Sequence, residues 1–169
     1  LAPADGADPL ARFAILPYPD ALEREVDSSL GTLTLRPIRP EDAPAHQAFF
    51  RALSPRDVHF RMFSSARELS DAQLARFTQI DYAREMAFIL TRPVPDGRET
   101  LGVVRVVADP DNIAGEFAIV VRSDLQGKGL GTILLEALIG YCRAHGLREI
   151  TGVALADNLG MQALARRNG

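Results

Sequence analysis

The chain has 169 residues, of which 47% are hydrophobic and 24% are charged, and its formal net charge is -3 at pH 7. These values allow one ordinary domain with a buried core and argue against nucleic acid as a partner. The single cysteine, Cys142, excludes an internal disulfide and indicates a reducing, cytoplasmic setting. The sequence has no long apolar run and no signal-peptide pattern, so neither a membrane protein nor a secreted protein is predicted.

The N-terminal part reads as an extension leading into a domain. Residues 1–9 are rich in alanine, proline and aspartate without periodicity, which is typical of a linker. Strands are predicted at residues 12–16 and 23–28, the second turning at Leu30 and Gly31 into a strand at 32–35. We therefore assign residues 1–30 to a linker and N-terminal strand extension and residues 31–169 to one domain. Because the chain begins with leucine, we expect it to be part of a longer protein.

Helices follow in the sequence. The motif IRPEDA at residues 38–43 leads into a helix ending near Leu53, with acidic residues in the first turn, where the helix dipole favours them. Ser54 and Pro55 predict the start of a second helix, and Ser70 with Gln73 forms a capping-box pattern for a third that ends near residue 79.

Strands and two further helices complete the chain. Strands are predicted at residues 86–90 and 101–107, separated by the turn PVPDGR, and at 116–122 after a turn at 109–115. A long helix begins near Leu130 and stops at Gly146, with Cys142 as a buried apolar residue on it. A strand at 148–155 and a short helix at 158–167 come last.

The most specific pattern is the strand, glycine loop and helix between Glu116 and Tyr141. The segment EFAIVV alternates as a strand, with Phe117, Ile119 and Val121 predicted to face the core and Glu116, Ala118, Val120 and Arg122 the other side. In the loop QGKGLG, glycines at alternate positions leave the backbone N–H groups accessible, and the helix adds about half a positive charge at its start. Such a loop predicts a bound phosphate.

Two common phosphate fingerprints do not match this loop. A Rossmann loop needs a third glycine where Thr132 stands, and a Walker A loop needs Ser or Thr where Gly129 follows Lys128. Gln126, Gly129 and Gly131 instead match Q/R-x-x-G-x-G/A, although a glycine-rich turn without a ligand has the same bare pattern. With its flanking strand and helix, the segment resembles the pyrophosphate loop of the GNAT superfamily of acyl-CoA-dependent N-acyltransferases.

The resemblance runs from about Thr32 to the chain end. With AILPYP at residues 14–19, IDYAREMAFI at 80–89 and the segment 116–131, the chain resembles the C-terminal acetyltransferase domain of bacterial protein lysine acetyltransferases fused to an NDP-forming acyl-CoA synthetase-like region. The resemblance implies an α/β (α+β) GNAT fold, with a mixed, mostly antiparallel sheet flanked by helices. Relatives continue into two more strands, so we expect C-terminal strands to be missing and the open edge to be covered by a continuation or by self-association.

The resemblance also implies a reaction, the transfer of an acetyl group from acetyl-CoA to the lysine ε-amine of a protein substrate, with an acyl-CoA synthetase as one candidate. Acetylation of a small amine and CoA sensing without turnover remain alternatives. Neutralising a lysine at pH 7 costs about 4.6 kcal/mol, so a general base is needed. Glu116, expected to be partly buried, is the candidate, although a solvated glutamate at the start of a strand has the same pattern. A backbone N–H near Val120 would hold the oxyanion.

Cofactor contacts are assigned by the same resemblance. Residues 120–122 would meet the pantetheine arm, and residues 126–132 would hold the pyrophosphate, with Lys128 as a point charge or as a solvated side chain. Asn158 matches a cofactor contact but also reads as a helix N-cap. Ala165 stands where many relatives have a tyrosine acid, so the general acid is unidentified. The histidines have no metal-ligand spacing and no metal is expected. The predicted cofactor-binding residues are Val120, Val121, Arg122, Gln126, Gly127, Lys128, Gly129, Leu130, Gly131, Thr132 and Asn158.

Overall fold

The computed structural model describes residues 17–54 and 68–155. These residues form one six-stranded sheet and three α-helices. The strands lie in chain order, antiparallel except that β6 runs parallel to β5. They are β1 (Arg24–Ser28), β2 (Gly31–Pro37), β3 (Glu85–Val94), β4 (Gly97–Ala108), β5 (Ala114–Val121) and β6 (Glu149–Leu155). The helices are α1 (Ala43–Arg51), α2 (Asp71–Thr78) and α3 (Leu130–Ala144). The predicted mixed, mostly antiparallel sheet is confirmed.

Both faces of the sheet are covered, each by its own hydrophobic core. On one face α3 packs on the middle strands, and Ile119 and Val121 of β5 are fully buried beneath it. On the other face α1 and α2 enclose a second core that includes Val120. The predicted alternation along β5 is therefore confirmed, but its second face is buried at Val120 rather than open along its whole length.

The N-terminal hairpin and the third predicted helix are confirmed. Strands β1 and β2 pair from Arg24↔Leu35 to Ser28↔Gly31, so the strand extension belongs to the same sheet as the rest of the domain. At α2, the Ser70 hydroxyl accepts from the Gln73 amide at 3.1 Å and the Gln73 side chain accepts from the Ser70 amide at 2.9 Å. That reciprocal pair is the predicted capping box.

The helix predicted to follow residues 38–42 and to end near Leu53 is α1, which ends two residues earlier, at Arg51. A 3-10 turn, Pro40–Asp42, precedes α1, and Asp42 accepts two hydrogen bonds from the Arg36 guanidinium at 2.8 and 2.5 Å. Both side chains are buried. Asp42 therefore joins β2 to the start of α1 as one half of a buried ion pair, a role that the helix dipole alone did not predict.

The predicted turn at residues 93–98 is wrong in length. Pairing between β3 and β4 continues through Pro93↔Arg98 to Val94↔Gly97, so the turn proper is Pro95 and Asp96. The Arg98 guanidinium donates to the Thr91 hydroxyl at 3.0 Å and to the Thr34 hydroxyl at 2.8 Å, which ties the end of this hairpin to β2. Gly115, predicted in a turn, also lies in a strand, opposite Ala108.

Three further elements were predicted in parts of the sequence beyond the described ranges. The strand at residues 12–16, the helix expected to begin at Ser54 and Pro55, and the helix at 158–167 lie outside the described residues. The predicted strand at 148–155 is confirmed as β6, and Gly146 follows α3 with a φ of +77°, as a C-terminal stop requires.

Cys142 leads to a prediction about stability. The residue is 4% exposed on α3, and burial raises the pKa of its thiol from 9.0 to about 11. Because the folded state holds the thiol proton more tightly than the unfolded state, the buried thiol contributes stability fully below about pH 9. This contribution is lost as the pH rises to about 11. In urea titrations, the difference in free energy of unfolding between wild type and Cys142→Ala should decrease as the pH rises from about 9 to about 11. A difference that stays constant up to pH 11 would contradict the assignment.

Candidate acetyl-CoA site

The glycine loop has a backbone that ordinary residues would not adopt. After β5, residues Ser123–Leu125 form a 3-10 turn, and Gly127 and Gly129 follow with φ of +82° and +83°. These left-handed values favour glycine, so two of the three loop glycines are explained by conformation. Gly129 directly precedes α3 and has no side chain with which to cap it. The first amides of α3 can therefore donate to an external anion.

An ion-pair network holds the segment between β5 and the loop. The Arg122 guanidinium donates to the Asp124 carboxylate at 2.8 and 3.1 Å and to Glu99 of β4 at 3.2 Å, and Arg92 of β3 contacts Glu99. The hydrogen bond from Arg122 lowers the pKa of the Asp124 carboxyl. The Arg122 side chain thereby links β4 to the 3-10 turn that precedes the glycine loop.

Backbone amides at the end of β5 face alternate sides. The Arg122 amide donates to the Leu101 carbonyl of β4 at 2.9 Å, so by the period of two the Val120 amide also faces β4 and the Val121 amide faces the opposite side. The described pairing of β5 with β6 ends at Val120↔Leu155. The Val121 carbonyl accepts from the Gln126 side chain at 3.2 Å. Of the residues near Val120, Val121 therefore presents its peptide groups on the side away from β4.

Glu116 lies on β5 opposite Val107 of β4 and Thr151 of β6. Its side chain is exposed, so the expected partial burial is wrong. The reason is that β4 and β5 lead into a turn just beyond it, where Val107 and Ile113 are also exposed at 39% and 51%. Glu116 lines a cavity of about 430 Å³ together with Ala118 and Gly152, which places a carboxylate in an open depression on one face of the sheet.

A smaller apolar cavity adjoins this depression. It measures about 40 Å³, and its walls come from α1, α2 and the middle strands. Ala118 and Arg105 line both cavities, which therefore lie side by side on one sheet face. The lining residues of the smaller cavity are His46, Phe49, Phe50, Leu53, Leu69, Phe77, Val103, Arg105, Ala118 and Val120.

Arg105 is a site residue that the sequence reasoning missed. It is 8% exposed, donates to the Phe77 carbonyl at 2.6 Å and lies over the Phe77 ring at 5.1 Å. Its signal was an arginine in the middle of the buried strand sequence LGVVRVVA, since a charge is rarely buried without partners. Arg105 connects α2 to the floor of both cavities.

The remaining predicted cofactor residues divide by exposure. Lys128 and Gly127 are exposed, Gln126, Gly129 and Thr132 are half-buried, and Leu130 and Gly131 are buried in the first turn of α3. The loop backbone and the Lys128 side chain are thus accessible to a ligand. Asn158 lies outside the described residues.

The chain belongs to the GNAT family of acetyltransferases. The family model described as "Acetyltransferase (GNAT) domain" matches residues 32–169. Acetyltransferase PA5475 of Pseudomonas aeruginosa is 33% identical over 130 residues, which cover 77% of this chain and 70% of that protein. The domain is therefore an acetyl-CoA-dependent N-acetyltransferase.

Two further relatives carry the name Pat. Acetyltransferase Pat of Mycolicibacterium smegmatis is 29% identical over 65% of this chain, which spans only 33% of that protein. The crystal structure of the GNAT domain of S. lividans PAT superposes with a TM-score of 0.74 at 26% identity, covering 90% of each chain. The resemblance inferred from the sequence motifs is confirmed by these matches.

The described ranges contain neither a cluster of metal-binding side chains nor a helix that could span a membrane. Over residues 17–54 and 68–155, no three His, Cys, Asp or Glu side chains are grouped as metal ligands. In the same part of the chain, no helix has the length and hydrophobicity needed to cross a membrane.

Proposed function

We propose that this domain transfers the acetyl group of acetyl-CoA to the ε-amine of a lysine in a protein substrate, with Glu116 as general base. The observation that carries the proposal is the exposed Glu116 carboxylate in the 430 Å³ depression, on the same strand that ends in the glycine loop. One strand thereby connects a base to a phosphate-binding loop. The similarity to two Pat proteins supports a protein acceptor over a small amine.

The loop fits the diphosphate of CoA. Gly127, Gly129 and Gly131 leave the approach to the start of α3 open, and Lys128 adds an exposed positive charge. Beside the loop, the peptide group of Val121 faces away from β4 and can pair with an amide of the pantetheine arm, displacing Gln126 from its carbonyl. A backbone N–H near Val120 would donate to the oxyanion of the tetrahedral intermediate.

Glu116 would act on the amine through water. Glu116 and Val120 are four residues apart, about 13 Å along a strand, and a glutamate side chain spans only about 5 Å of that distance. A water molecule above Ala118, hydrogen-bonded to both the carboxylate and the amine, would span most of the remaining distance between them. Through this water Glu116 removes one proton from the lysine ammonium, and the neutral nitrogen then bonds to the thioester carbonyl carbon. The tetrahedral intermediate loses a second proton from nitrogen to water as the C–S bond breaks, so that the CoA thiolate leaves and is protonated by solvent.

Labelling in a cell extract tests the acceptor class. The domain is incubated with radiolabelled acetyl-CoA and a whole-cell extract, with Glu116→Gln as the matched inactive control. Label in protein bands that depends on Glu116 and survives as acetyl-lysine supports the proposal. Label only in small amines would favour acetylation of a metabolite, and binding of acetyl-CoA without any transfer would favour a CoA-sensing module.

Self-acetylation should not complicate this experiment. Lys128 is the only lysine of the chain and lies in the loop assigned to the phosphates, so bound acetyl-CoA should shield it. Acetylation would also remove its charge. Mass spectrometry of the active enzyme after incubation with acetyl-CoA should show negligible acetyl-Lys128, and stoichiometric modification would contradict the placement of Lys128 against the cofactor.

A further inference from the structure

The tip of the β1–β2 hairpin contacts the glycine loop. The Ser29 hydroxyl donates a hydrogen bond of 2.9 Å to the Lys128 carbonyl, although the two residues are 99 positions apart in the chain. Ser29 lies outside the loop motif, and nothing in its local sequence indicates a role in binding. Its contact is nevertheless with the backbone of the one segment whose backbone we assign to phosphate.

The neighbours of Ser29 fix its position. The Ser28 hydroxyl accepts from the Leu30 amide at 3.0 Å and donates to the Gly31 carbonyl at 2.7 Å, which closes the turn on itself. Leu30 packs against the core beneath α3. Ser28 and Leu30 therefore hold the turn, and the hydroxyl of Ser29 between them is directed at the loop.

The carbonyl that Ser29 holds determines where a loop amide points. In a trans peptide unit the C=O and the following N–H point in opposite directions, so fixing the Lys128 carbonyl fixes the Gly129 amide. Gly129 has a φ of +83° and, as a glycine, resists rotation of this peptide unit only weakly. The hydrogen bond from Ser29 restrains this peptide unit from outside the loop.

We propose that Ser29 is a positioning residue for phosphate binding, which acts by holding the Lys128–Gly129 peptide unit so that the Gly129 amide faces the diphosphate of CoA. The proposal rests on the proposed function in that it assigns the diphosphate to this loop. It extends the cofactor site to the N-terminal hairpin, where the Ser29 side chain bonds to the loop backbone.

The test compares acetyl-CoA with S-acetylpantetheine, which lacks the diphosphate together with the 3′-phosphoadenosine. Acetyl-CoA carries the diphosphate and S-acetylpantetheine does not, so a residue that orients the loop amides should affect only the first. For Ser29→Ala we expect a KM for acetyl-CoA about 3- to 10-fold higher, the size of one hydrogen bond, with kcat and the KM for S-acetylpantetheine unchanged.

Two variants serve as controls. Ser29→Thr keeps the hydroxyl and should retain wild-type values, since Ser29 has no positive φ that a β-branched residue would resist. Thr32→Ala removes another exposed hydroxyl of the same hairpin, one that bonds to Asp27 at 3.2 Å, and should leave both KM values unchanged. Thermal melts of all variants check that the hairpin remains folded.

The outcomes separate the two levels of the proposal. Wild type is expected to have a much lower KM for acetyl-CoA than for S-acetylpantetheine. If Ser29→Ala has the same KM for acetyl-CoA as wild type, Ser29 has no positioning role. An equal loss with both donors also overturns that role, because it shows general damage to the sheet. If wild type itself does not distinguish the donors, the loop does not bind the diphosphate, and both the loop assignment and the role of Ser29 are wrong.

Discussion

Replacing Glu116 by glutamine is expected to lower kcat by about 10²–10⁴-fold at pH 7, with little change in the affinity for acetyl-CoA. Glutamine keeps the size and hydrogen-bonding capacity of the side chain but cannot take the proton of the attacking amine. Since a lysine amine is overwhelmingly protonated at pH 7, the variant depends on the small neutral fraction. Its rate should recover partly as the pH rises toward 10, which steady-state kinetics across pH 6.5–9.5 would measure.

Glu149 offers a matched control for this substitution. It is an exposed glutamate on the neighbouring strand β6, opposite Ala114, so Glu149→Gln removes the same charge from the same side of the sheet. That variant should keep near-wild-type activity. Full activity of Glu116→Gln at pH 7 would show that Glu116 is an ordinary solvated residue and not the general base. An equal loss of kcat in both variants would indicate a general effect of surface charge.

The second large effect is expected at Gly129, where Gly129→Asp should weaken acetyl-CoA binding by more than about a hundredfold. A carboxylate at the start of α3 would face the phosphates, and juxtaposed like charges cost several kcal/mol. Because Gly129 has a φ of +83°, a larger side chain would also strain the backbone. Aspartate and asparagine both tolerate this region better than other residues, which makes them the appropriate pair.

Gly129→Asn is the control that separates charge from strain. Asparagine has nearly the same shape as aspartate and carries no charge, so it should bind acetyl-CoA far more tightly than Gly129→Asp. Calorimetric titration gives the two affinities, and thermal unfolding shows whether both variants fold. If Asp and Asn weaken binding to the same extent in folded protein, strain rather than phosphate repulsion is responsible and the loop assignment loses its support.

Local patterns in the sequence were sufficient for most elements of the fold. The alternation in EFAIVV, the glycines of QGKGLG and the helical spacing after Leu130 predicted β5, the loop and α3, and the Ser70 capping box predicted the start of α2. The burial of Cys142 followed from its place on an apolar helix. These predictions hold because periodicity, capping and the need for positive φ depend on residues a few positions apart.

The candidate site was determined by the sequence only in part, because its environment depends on which strands become neighbours. The sequence placed Glu116 on a strand, but its exposure follows from the position of the β4–β5 turn, and the buried Arg105 follows from packing α2 over β4. The contact between Ser29 and the Lys128 carbonyl joins segments 99 residues apart. Burial, ion pairing and such long-range hydrogen bonds are properties of the assembled sheet, since no local pattern specifies what lies on the adjacent strand.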